Sequence, residues 1–221
     1  MERRLIAVDV DGTLYDGTGV APEAVEALRA CSAGGDLVVI VTGRRWETLS
    51  SVVPAVLELC DRVVAEEGGV LVDVATGRIE LLADPVEPEL LMALRAAGVP
   101  DLDVGHVVVG GPVAFESMFV AARDRAASSR TVIVNKGSVA LAPKGCDKAS
   151  GLRAAIHALD AHDACVIAIG DAANDLPMFA MAHHPHAVAN ADAAVRAAGV
   201  PLTQAATGRG VAEALRLHLP T

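Results

Sequence analysis

Aromatic and basic residues are scarce in this chain of 221 residues. Phe, Trp and Tyr together make up 2% of the sequence, and 18 Lys and Arg stand against 28 Asp and Glu, which gives a net charge of −10 at pH 7. Nucleic-acid binding requires a basic surface and flat side chains on which bases can stack. The composition therefore argues against a nucleic-acid partner.

Long apolar runs are missing as well, although 52% of the residues are hydrophobic. A membrane-spanning helix needs about 18 or more consecutive apolar residues, and glycines, a histidine and a proline interrupt even the uncharged stretch 104–115. The sequence also lacks a CxxC pair, which is typical of reduced, unpaired thiols. We therefore expect a soluble, cytoplasmic protein without membrane contact, either a monomer or a homodimer. Its cysteines are Cys31, Cys60, Cys146 and Cys165.

Short apolar segments alternate with amphipathic segments near both ends of the chain. The predicted strands 5–10, 37–41, 62–65 and 165–169 are apolar or nearly so, with an acid near the end of the first and an arginine at the start of the third, instead of alternating with polar residues. Such strands are typical of a parallel sheet that helices cover on both faces. The alternation with predicted helices indicates an α/β fold with a doubly wound, Rossmann-like parallel sheet.

The pattern changes in the middle of the chain. After a predicted hairpin at 70–82, the segment 84–143 reads as two helices, at 87–97 and 115–127, and three short strands, at 106–109, 131–134 and 138–141. Clusters of Pro and Gly flank this segment and favour hinges. We therefore predict that residues 1–83 and 144–221 form the core, and that residues 84–143 form a small α+β cap inserted into it.

Polar residues that can bind ligands or take part in a reaction follow the predicted core strands at the points where those strands end. In open α/β sheets, ligands bind beyond the carboxyl ends of the strands, so these side chains are expected to meet at one edge of the sheet. Lys148 joins them from the start of the first helix after the insert. The candidate site residues are Asp9, Asp11, Thr42, Gly43, Lys148, Asp171, Asn174 and Asp175.

Four carboxylates at one edge need a counter-charge, and a cluster of oxygen ligands is what Mg²⁺ prefers. The spacing of Asp9 and Asp11 places both side chains on one side of an extended segment. One carboxylate can then attack a phosphorus atom while the other transfers protons, provided that the metal, Lys148 and the Thr42 hydroxyl neutralise the phosphoryl oxygens. The sequence thus predicts Mg²⁺-dependent chemistry on a phosphoryl group.

The four motifs resemble, in this order, those of the haloacid dehalogenase-like superfamily. They are DVDGT at 9–13, Thr42, Lys148, and GDAAND at 170–175. The runs 141–152 and 171–178 are similar to the Cof-type branch, whose C2B-type cap lies between the second and third motifs. That branch includes short phosphoglycolate phosphatases and sucrose-phosphate phosphatases. The resemblance covers the whole chain, with one departure: Glu66-Glu67-Gly68-Gly69 stands where many relatives have Asn-Gly.

The resemblance implies a role for each motif residue in a phosphomonoesterase. Asp9 would be the nucleophile that forms an aspartyl-phosphate, and Asp11 would protonate the leaving alkoxide and activate the hydrolytic water. Thr42, Gly43 and Lys148 would bind the phosphoryl group. The implied Mg²⁺ ligands are Asp9, Asp11 through its backbone carbonyl, Asp171 and Asp175, with Asn174 in a supporting position.

Two alternative functions stay open at this point. One is phosphoryl transfer on the same core, as in a mutase, although the short distance in sequence between Asp11 and Thr42 leaves no room for the cap position that a mutase favours. The other is a catalytically silent protein of this fold that binds a small molecule. A receiver domain is disfavoured because Lys148 precedes Asp171 along the chain.

For two further groups of polar residues we favour a structural interpretation over a role in binding a metal or the substrate. The three histidines His183, His184 and His186 are read as a polar loop between a helix and a strand. The charged residues of the predicted cap are read as exposed surface charges and not as contacts to the leaving group. The latter are His106, Arg123, Arg125, Arg130 and Lys136.

Overall fold

A computed structural model describes residues 3–135 and 137–219, and Lys136 lies outside the described residues. Its strands, in chain order, are β1 (Arg4–Val8), β2 (Leu37–Val41), β3 (Arg62–Ala65), β4 (Val70–Asp73), β5 (Ile79–Leu81), β6 (Asp103–Val104), β7 (Val109–Pro112), β8 (Thr131–Asn135), β9 (Ser138–Ala142), β10 (Cys165–Gly170) and β11 (His184–Ala187).

The helices alternate with these strands. They are α1 (Pro22–Ala33), α2 (Trp46–Val52), α3 (Pro54–Leu57), α4 (Pro88–Ala96), α5 (Glu116–Arg125), α6 (Lys148–Ala158), α7 (Leu176–Met181), α8 (Ala193–Ala197) and α9 (Thr207–Arg216). No helix in the described part of the chain is long and apolar enough to cross a membrane.

The larger sheet has seven strands in the order β11-β10-β1-β2-β3-β4-β5. The neighbours from β11 to β3 are parallel, whereas β4 and β5 add an antiparallel hairpin. All five residues of β2 are buried, because α1, α2, α3 and α9 cover one face of the sheet and α6, α7 and α8 cover the other. The predicted α/β fold class with a doubly wound sheet is confirmed.

A second, antiparallel sheet has the order β6-β7-β9-β8. It packs against α4 and α5, and its apolar contacts centre on Leu90, Leu94 and Phe119, which are fully buried. We call these four strands and two helices the small module. All of it lies between β5 and α6 in sequence, so the chain leaves the larger sheet once and returns once.

The strand predicted at 106–109 is wrong. In the structure β6 ends at Val104 and β7 begins at Val109. The backbone N–H groups of His106, Val107 and Val108 donate hydrogen bonds to the carboxylate of Glu66, at 3.0, 2.7 and 3.0 Å, and not to a neighbouring strand. The apolar run reflects burial against the larger sheet instead of strand pairing.

The reading of the histidines as a loop is also wrong. His184 to Ala187 form β11, which pairs in parallel with β10, whereas the prediction placed the last strand at 187–189. Backbone groups make this pairing, and an edge strand tolerates polar side chains and proline. α8 was not predicted.

Arg130, which the sequence analysis interprets as an exposed surface charge, is not exposed in the structure. Arg130 is buried, and its guanidinium group donates to a Glu87 carboxylate oxygen and to the backbone carbonyls of Asp84, Pro85 and Val107. A buried guanidinium with its donors satisfied in this way holds the segment 84–87 against the start of β8.

Candidate active site

Asp9 follows β1 directly and is 4% exposed. The chain then turns sharply, since the carbonyl of Val10 accepts from the N–H groups of Thr13, Leu14 and Tyr15. Gly12 occupies this turn with φ +82°, a conformation that favours glycine. The turn keeps the Asp9 carboxylate at the carboxyl end of the central strand, where the sheet order places β10 on one side and β2 on the other.

Thr42 and Gly43 follow β2. Thr42 is fully buried, and its hydroxyl oxygen accepts from the N–H of Arg44 at 3.1 Å. Gly43 lies so close to the Glu67 side chain that an added Cβ would meet Glu67 Oε1 at 2.2 Å. The backbone here is therefore open to a ligand on one side and closed by a carboxylate on the other.

Lys148 is the first residue of α6, and local sequence fixes its position. The N-cap Asp147 accepts from the N–H of Ser150, and Ser150 Oγ accepts from the N–H of Asp147, which forms a capping box. Lys148 is 1% exposed, and its Nζ donates to Asp9 Oδ1 and Asp175 Oδ1, both at 2.6 Å. One ammonium group thus bridges two carboxylates that lie far apart in sequence.

Asp171 and Asp175 lie in the segment that links β10 to α7, and both are fully buried. Asp175 Oδ2 accepts from the backbone N–H groups of Asp171 and Ala172, at 2.9 and 3.0 Å. Asp171 accepts from the Thr13 hydroxyl at 3.2 Å. These hydrogen bonds turn the GDAAND segment so that its two acidic side chains face the end of β1.

Asp9, Asp171 and Asp175 form the carboxylate cluster of the site, because each offers an oxygen within 4.8 Å of the others. Burial raises the pKa of Asp9 to about 8, which Lys148 opposes and the carboxylates of Asp175 and Asp171 reinforce. Burial alone would lower the pKa of Lys148, but the nearby Asp175, Asp9 and Glu67 raise it above its usual range. Three buried carboxyl groups thus lie around one fixed ammonium.

Asp11 differs from these three residues. Its carboxylate is exposed and accepts two hydrogen bonds from Arg44, Nε to Oδ2 at 2.6 Å and Nη2 to Oδ1 at 2.7 Å. The guanidinium also lies 5.7 Å from the ring centroid of Tyr15. Asp11 is thus held at the mouth of the site, next to the cluster in sequence but outside it in space.

Asn174 and Glu67 form a pair across the site. Asn174 Nδ2 lies 3.1 Å from each carboxylate oxygen of Glu67, whose pKa is raised by burial. Among the described residues, Oδ1 of Asn174 is a buried oxygen without a hydrogen-bond partner. Glu67 occupies the point at which the sequence departs from the family pattern, so the departure falls within the site itself.

A cavity of about 570 Å³ lies above these residues. The larger sheet contributes Asp9, Asp11, Arg44, Arg45 and Glu67, and the small module closes the opposite side. Arg45 reaches across the cavity and pairs with Asp103 of β6 at 2.5 Å. The module residues in the lining include Gly110, Gly111, Pro112 and Ser138.

The structure brings together Asp9, Thr42, Gly43, Lys148 and the GDAAND segment, as the sequence predicts for the carboxyl edge. Sequence reasoning missed Arg44 and Asn190. Arg44 follows Thr42-Gly43, and Asn190 follows the last strand and donates to the carbonyl of Gly12 at 2.7 Å. Both residues come just after a parallel strand. The expectation that site residues follow the carboxyl ends of the strands would have found them, had it been extended by one residue after β2 and applied to the last strand.

Comparison with known proteins identifies the class. The sequence profile of the family described as haloacid dehalogenase-like hydrolase matches residues 6–96 and 114–215. The chain therefore belongs to the haloacid dehalogenase-like hydrolases, which confirms the family that the motifs indicate, and it is an enzyme.

Individual relatives match nearly its full length. A phosphoglycolate phosphatase of Methanothermobacter thermautotrophicus is 32% identical over 222 residues, which cover 96% of this chain and 97% of the relative. One of Haloarcula marismortui is 31% identical, with 95% of each chain covered. Among solved structures, a haloacid dehalogenase-like hydrolase from Bacteroides thetaiotaomicron is similar with a TM-score of 0.80 at 19% identity. It covers 99% of this chain and 100% of that one, and it supports the fold.

Proposed function

We propose that the protein is a Mg²⁺-dependent phosphomonoesterase that hydrolyses a small phosphorylated metabolite through an aspartyl-phosphate on Asp9. The observation that carries this proposal is the position of the Lys148 Nζ, 2.6 Å from both Asp9 and Asp175. A buried ammonium at this distance favours the ionised, nucleophilic form of Asp9 and opposes the effect of burial on its pKa. It also offers positive charge where a phosphoryl group would arrive.

The reaction has two steps at the phosphorus atom. In the first, an Asp9 carboxylate oxygen forms a bond to phosphorus while the bond to the leaving alkoxide breaks, and Asp11 gives that alkoxide a proton. In the second, the oxygen of a water molecule forms a bond to the phosphorus of the aspartyl-phosphate while the bond from phosphorus to the Asp9 oxygen breaks. Asp11 takes the proton of the water, inorganic phosphate leaves, and the Asp9 carboxylate is restored. Asp11 suits proton transfer because its carboxylate lies at the solvent-facing mouth of the site, outside the buried cluster.

The residues fit a hard divalent cation. Three carboxylates have oxygens within 4.8 Å of one another, two of them contact Lys148, and all the candidate donors are oxygens. Asp9, Asp171 and Asp175 would hold the ion, together with the backbone carbonyl of Asp11. When bound, Mg²⁺ supplies charge neutralisation at the phosphoryl oxygens.

The phosphoryl group itself would be held by Lys148, by the Thr42 hydroxyl and by the backbone N–H of Gly43. Close approach to that N–H is possible because Gly43 has no side chain, and Glu67 leaves no space for one. The remainder of the substrate would lie in the 570 Å³ cavity beside Arg44 and Arg45. A short anionic substrate suits this setting, and the relatives named phosphoglycolate phosphatases make 2-phosphoglycolate the first compound to test.

We also propose that residues 84–143 act as the cap of this enzyme. Three polar contacts connect the larger sheet to the small module beside the cavity. They are the pairs Arg45–Asp103 and His106–Glu47 and the hydrogen bonds of the Glu66 carboxylate. A cap in this place selects the leaving group and limits access of water. Exchange of residues 84–143 for the corresponding segment of a relative is expected to change the ranking of substrates by kcat/KM. An unchanged ranking with full activity contradicts the cap role.

The experiment measures phosphate release from 2-phosphoglycolate and from a panel of sugar phosphates, with Mg²⁺ and with EDTA. We expect hydrolysis that EDTA abolishes and Mg²⁺ restores, with a preference for small anionic substrates. Asp9→Asn is expected to lower kcat at least about 10³-fold with the fold retained. Asp11→Asn should cause the aspartyl-phosphate to accumulate or should slow its hydrolysis.

The matched control is Asp163→Asn, which makes the same chemical change at an exposed residue between α6 and β10. Circular dichroism and thermal unfolding check that each variant is folded. Undiminished turnover in Asp9→Asn ends the assignment of the nucleophile, and hydrolysis that persists in EDTA ends the assignment of the metal.

A further inference from the structure

Three histidines meet on the face of the larger sheet that α9 covers. His184 and His186 alternate along β11, so both side chains point to the same face, and His218 follows α9. The Nε2 atoms of His186 and His218 lie 2.9 Å apart. The His184 ring lies 4.7 Å from that of His218, centroid to centroid. We call His184, His186 and His218 the histidine cluster.

The cluster offers lone pairs at neutral pH. Burial lowers the pKa of His218 to about 4, with added repulsion from His186, His184 and Arg4, and burial together with His184 also lowers the pKa of His186. Two neutral imidazoles whose Nε2 atoms face each other share a single proton between two nitrogen atoms.

We propose that the histidine cluster is a second metal site, which binds a transition-metal dication such as Zn²⁺ through Nε2 of His186 and Nε2 of His218. For both Nε2 atoms to bind an ion as neutral ligands, the histidine that donates the shared proton would carry it on Nδ1 instead. With Zn–N bonds of about 2.0–2.1 Å, two ligands of a tetrahedral ion lie about 3.3 Å apart, so the pair needs to open by only about 0.4 Å. The His184 ring lies beside that of His218, and water would complete the coordination.

The donor chemistry separates this site from the carboxylate cluster. Imidazole nitrogens suit Zn²⁺, Ni²⁺ and Cu²⁺, whereas Mg²⁺ prefers oxygen ligands. The positive charge of Arg4 near His218 is balanced by Asp36, to which its guanidinium donates at 2.9 and 2.6 Å. The proposal does not depend on the phosphatase reaction.

The position of the histidine cluster gives the ion a structural effect. β11 is an edge strand, held by β10 on one side, and His218 lies just beyond the last turn of α9. An ion bound by both would tie the segment after α9 to the edge strand. A ligand that binds the folded chain and not the unfolded one raises the melting temperature.

The test uses the full chain without an affinity tag and with Mg²⁺ in excess, so that the carboxylate cluster is occupied. Isothermal titration with Zn²⁺ is expected to show a site with one ion per chain. H186Q and H218Q should each weaken it at least about tenfold and should remove the rise in melting temperature that Zn²⁺ produces. The controls H157Q and H162Q remove one histidine each from an exposed pair elsewhere, whose rings lie 5.5 Å apart, and should leave binding unchanged.

A second measurement does not depend on the variants. Cu²⁺ added to the wild-type protein under the same conditions should give an electron paramagnetic resonance spectrum with coupling to at least two imidazole nitrogens. Equal Zn²⁺ affinity in the wild type and H218Q, or a Cu²⁺ spectrum with fewer than two nitrogen couplings, overturns the proposal.

Discussion

At the scale of single residues, Arg44 decides where the Asp11 carboxylate points. Its guanidinium makes two hydrogen bonds to that carboxylate, and no other cation is in contact with Asp11 among the described ion pairs. A proton-transfer group works only from a defined position, and a displacement of about 1 Å can lower the rate by about 100-fold. Arg44 is thus a positioning residue for the proposed acid and base.

Arg44→Gln is expected to lower kcat by about 10- to 100-fold with a smaller change in KM, because the carboxylate loses its orientation. Arg44→Lys should restore only part of the rate, since an ammonium lacks the planar fork. Steady-state kinetics on the best substrate of the panel provide the measurement. Arg123→Gln removes the same charge from a surface pair with Asp124 and serves as the control. If kcat in Arg44→Gln equals that of the control, Arg44 has no positioning role.

Gly43 shows how closely the site is packed. Gly43→Ala is expected to displace Glu67, because the new Cβ would lie 2.2 Å from Glu67 Oε1, and to destabilise the protein by about 1–3 kcal/mol with a loss of activity. In a Glu67→Ala background the same change should cost less, since the obstructing atoms are gone. Urea unfolding measures both effects. Gly19→Ala, which meets nothing within 4 Å, is the control, and identical costs in the two backgrounds would refute the contact.

At the scale of elements, Glu66 joins the larger sheet to the small module. It is 1% exposed, and its carboxylate accepts from three consecutive backbone N–H groups between β6 and β7. Hydrogen bonds to a charged acceptor contribute about 1.5–3 kcal/mol each, so this contact sets the position of the β6–β7 connection.

Glu66→Gln keeps the shape of the side chain but removes its charge and turns one acceptor into a donor. We expect the amides of His106, Val107 and Val108 to exchange with deuterium at least about tenfold faster, because the remaining hydrogen bonds are weaker. Hydrogen exchange followed by NMR measures this directly. Glu80→Gln on the exposed strand β5 should leave those amides protected. Unchanged exchange in Glu66→Gln would show that the carboxylate is not what holds this connection.

The same contact explains which elements the sequence could predict. β1, β2, β3 and β10 are apolar on both faces, and that pattern is a local property of the chain. The ends of β6 and β7 depend instead on Glu66, about 40 residues earlier, which takes up the N–H groups of an apolar run that looks like a strand. The candidate site was predictable in the same way: its residues follow strand ends, whereas the ion pairs of Arg44 and Arg45 arise only in the folded chain.

At the scale of the whole molecule, the histidine cluster gives stability a dependence on pH. The pKa of His218 is lowered to about 4 and that of His186 is also lowered, so the folded chain takes up these protons less readily than the unfolded chain, whose histidines titrate near 6.5. The contribution to stability is complete above pH 6.5 and is lost as the pH falls from 6.5 towards 4.

We therefore expect the free energy of unfolding, measured in urea without transition metals, to decrease over that pH range. His218→Asn should make the decrease shallower, because a titrating group is removed. His162→Asn, at an exposed histidine, should leave the slope as it is in the wild type. A slope that His218→Asn does not alter contradicts the assignment.

The central position of β1 has a consequence for the order in which the molecule is built. β1 is made before its neighbour β10, which follows it by about 160 residues, since their register joins Arg4 to Cys165. One edge of β1 therefore stays without its neighbouring strand until those residues have been synthesised. The nascent protein has to shield that edge from aggregation, and the Asp9 carboxylate meets Lys148, Asp171 and Asp175 only after these residues have followed it in synthesis.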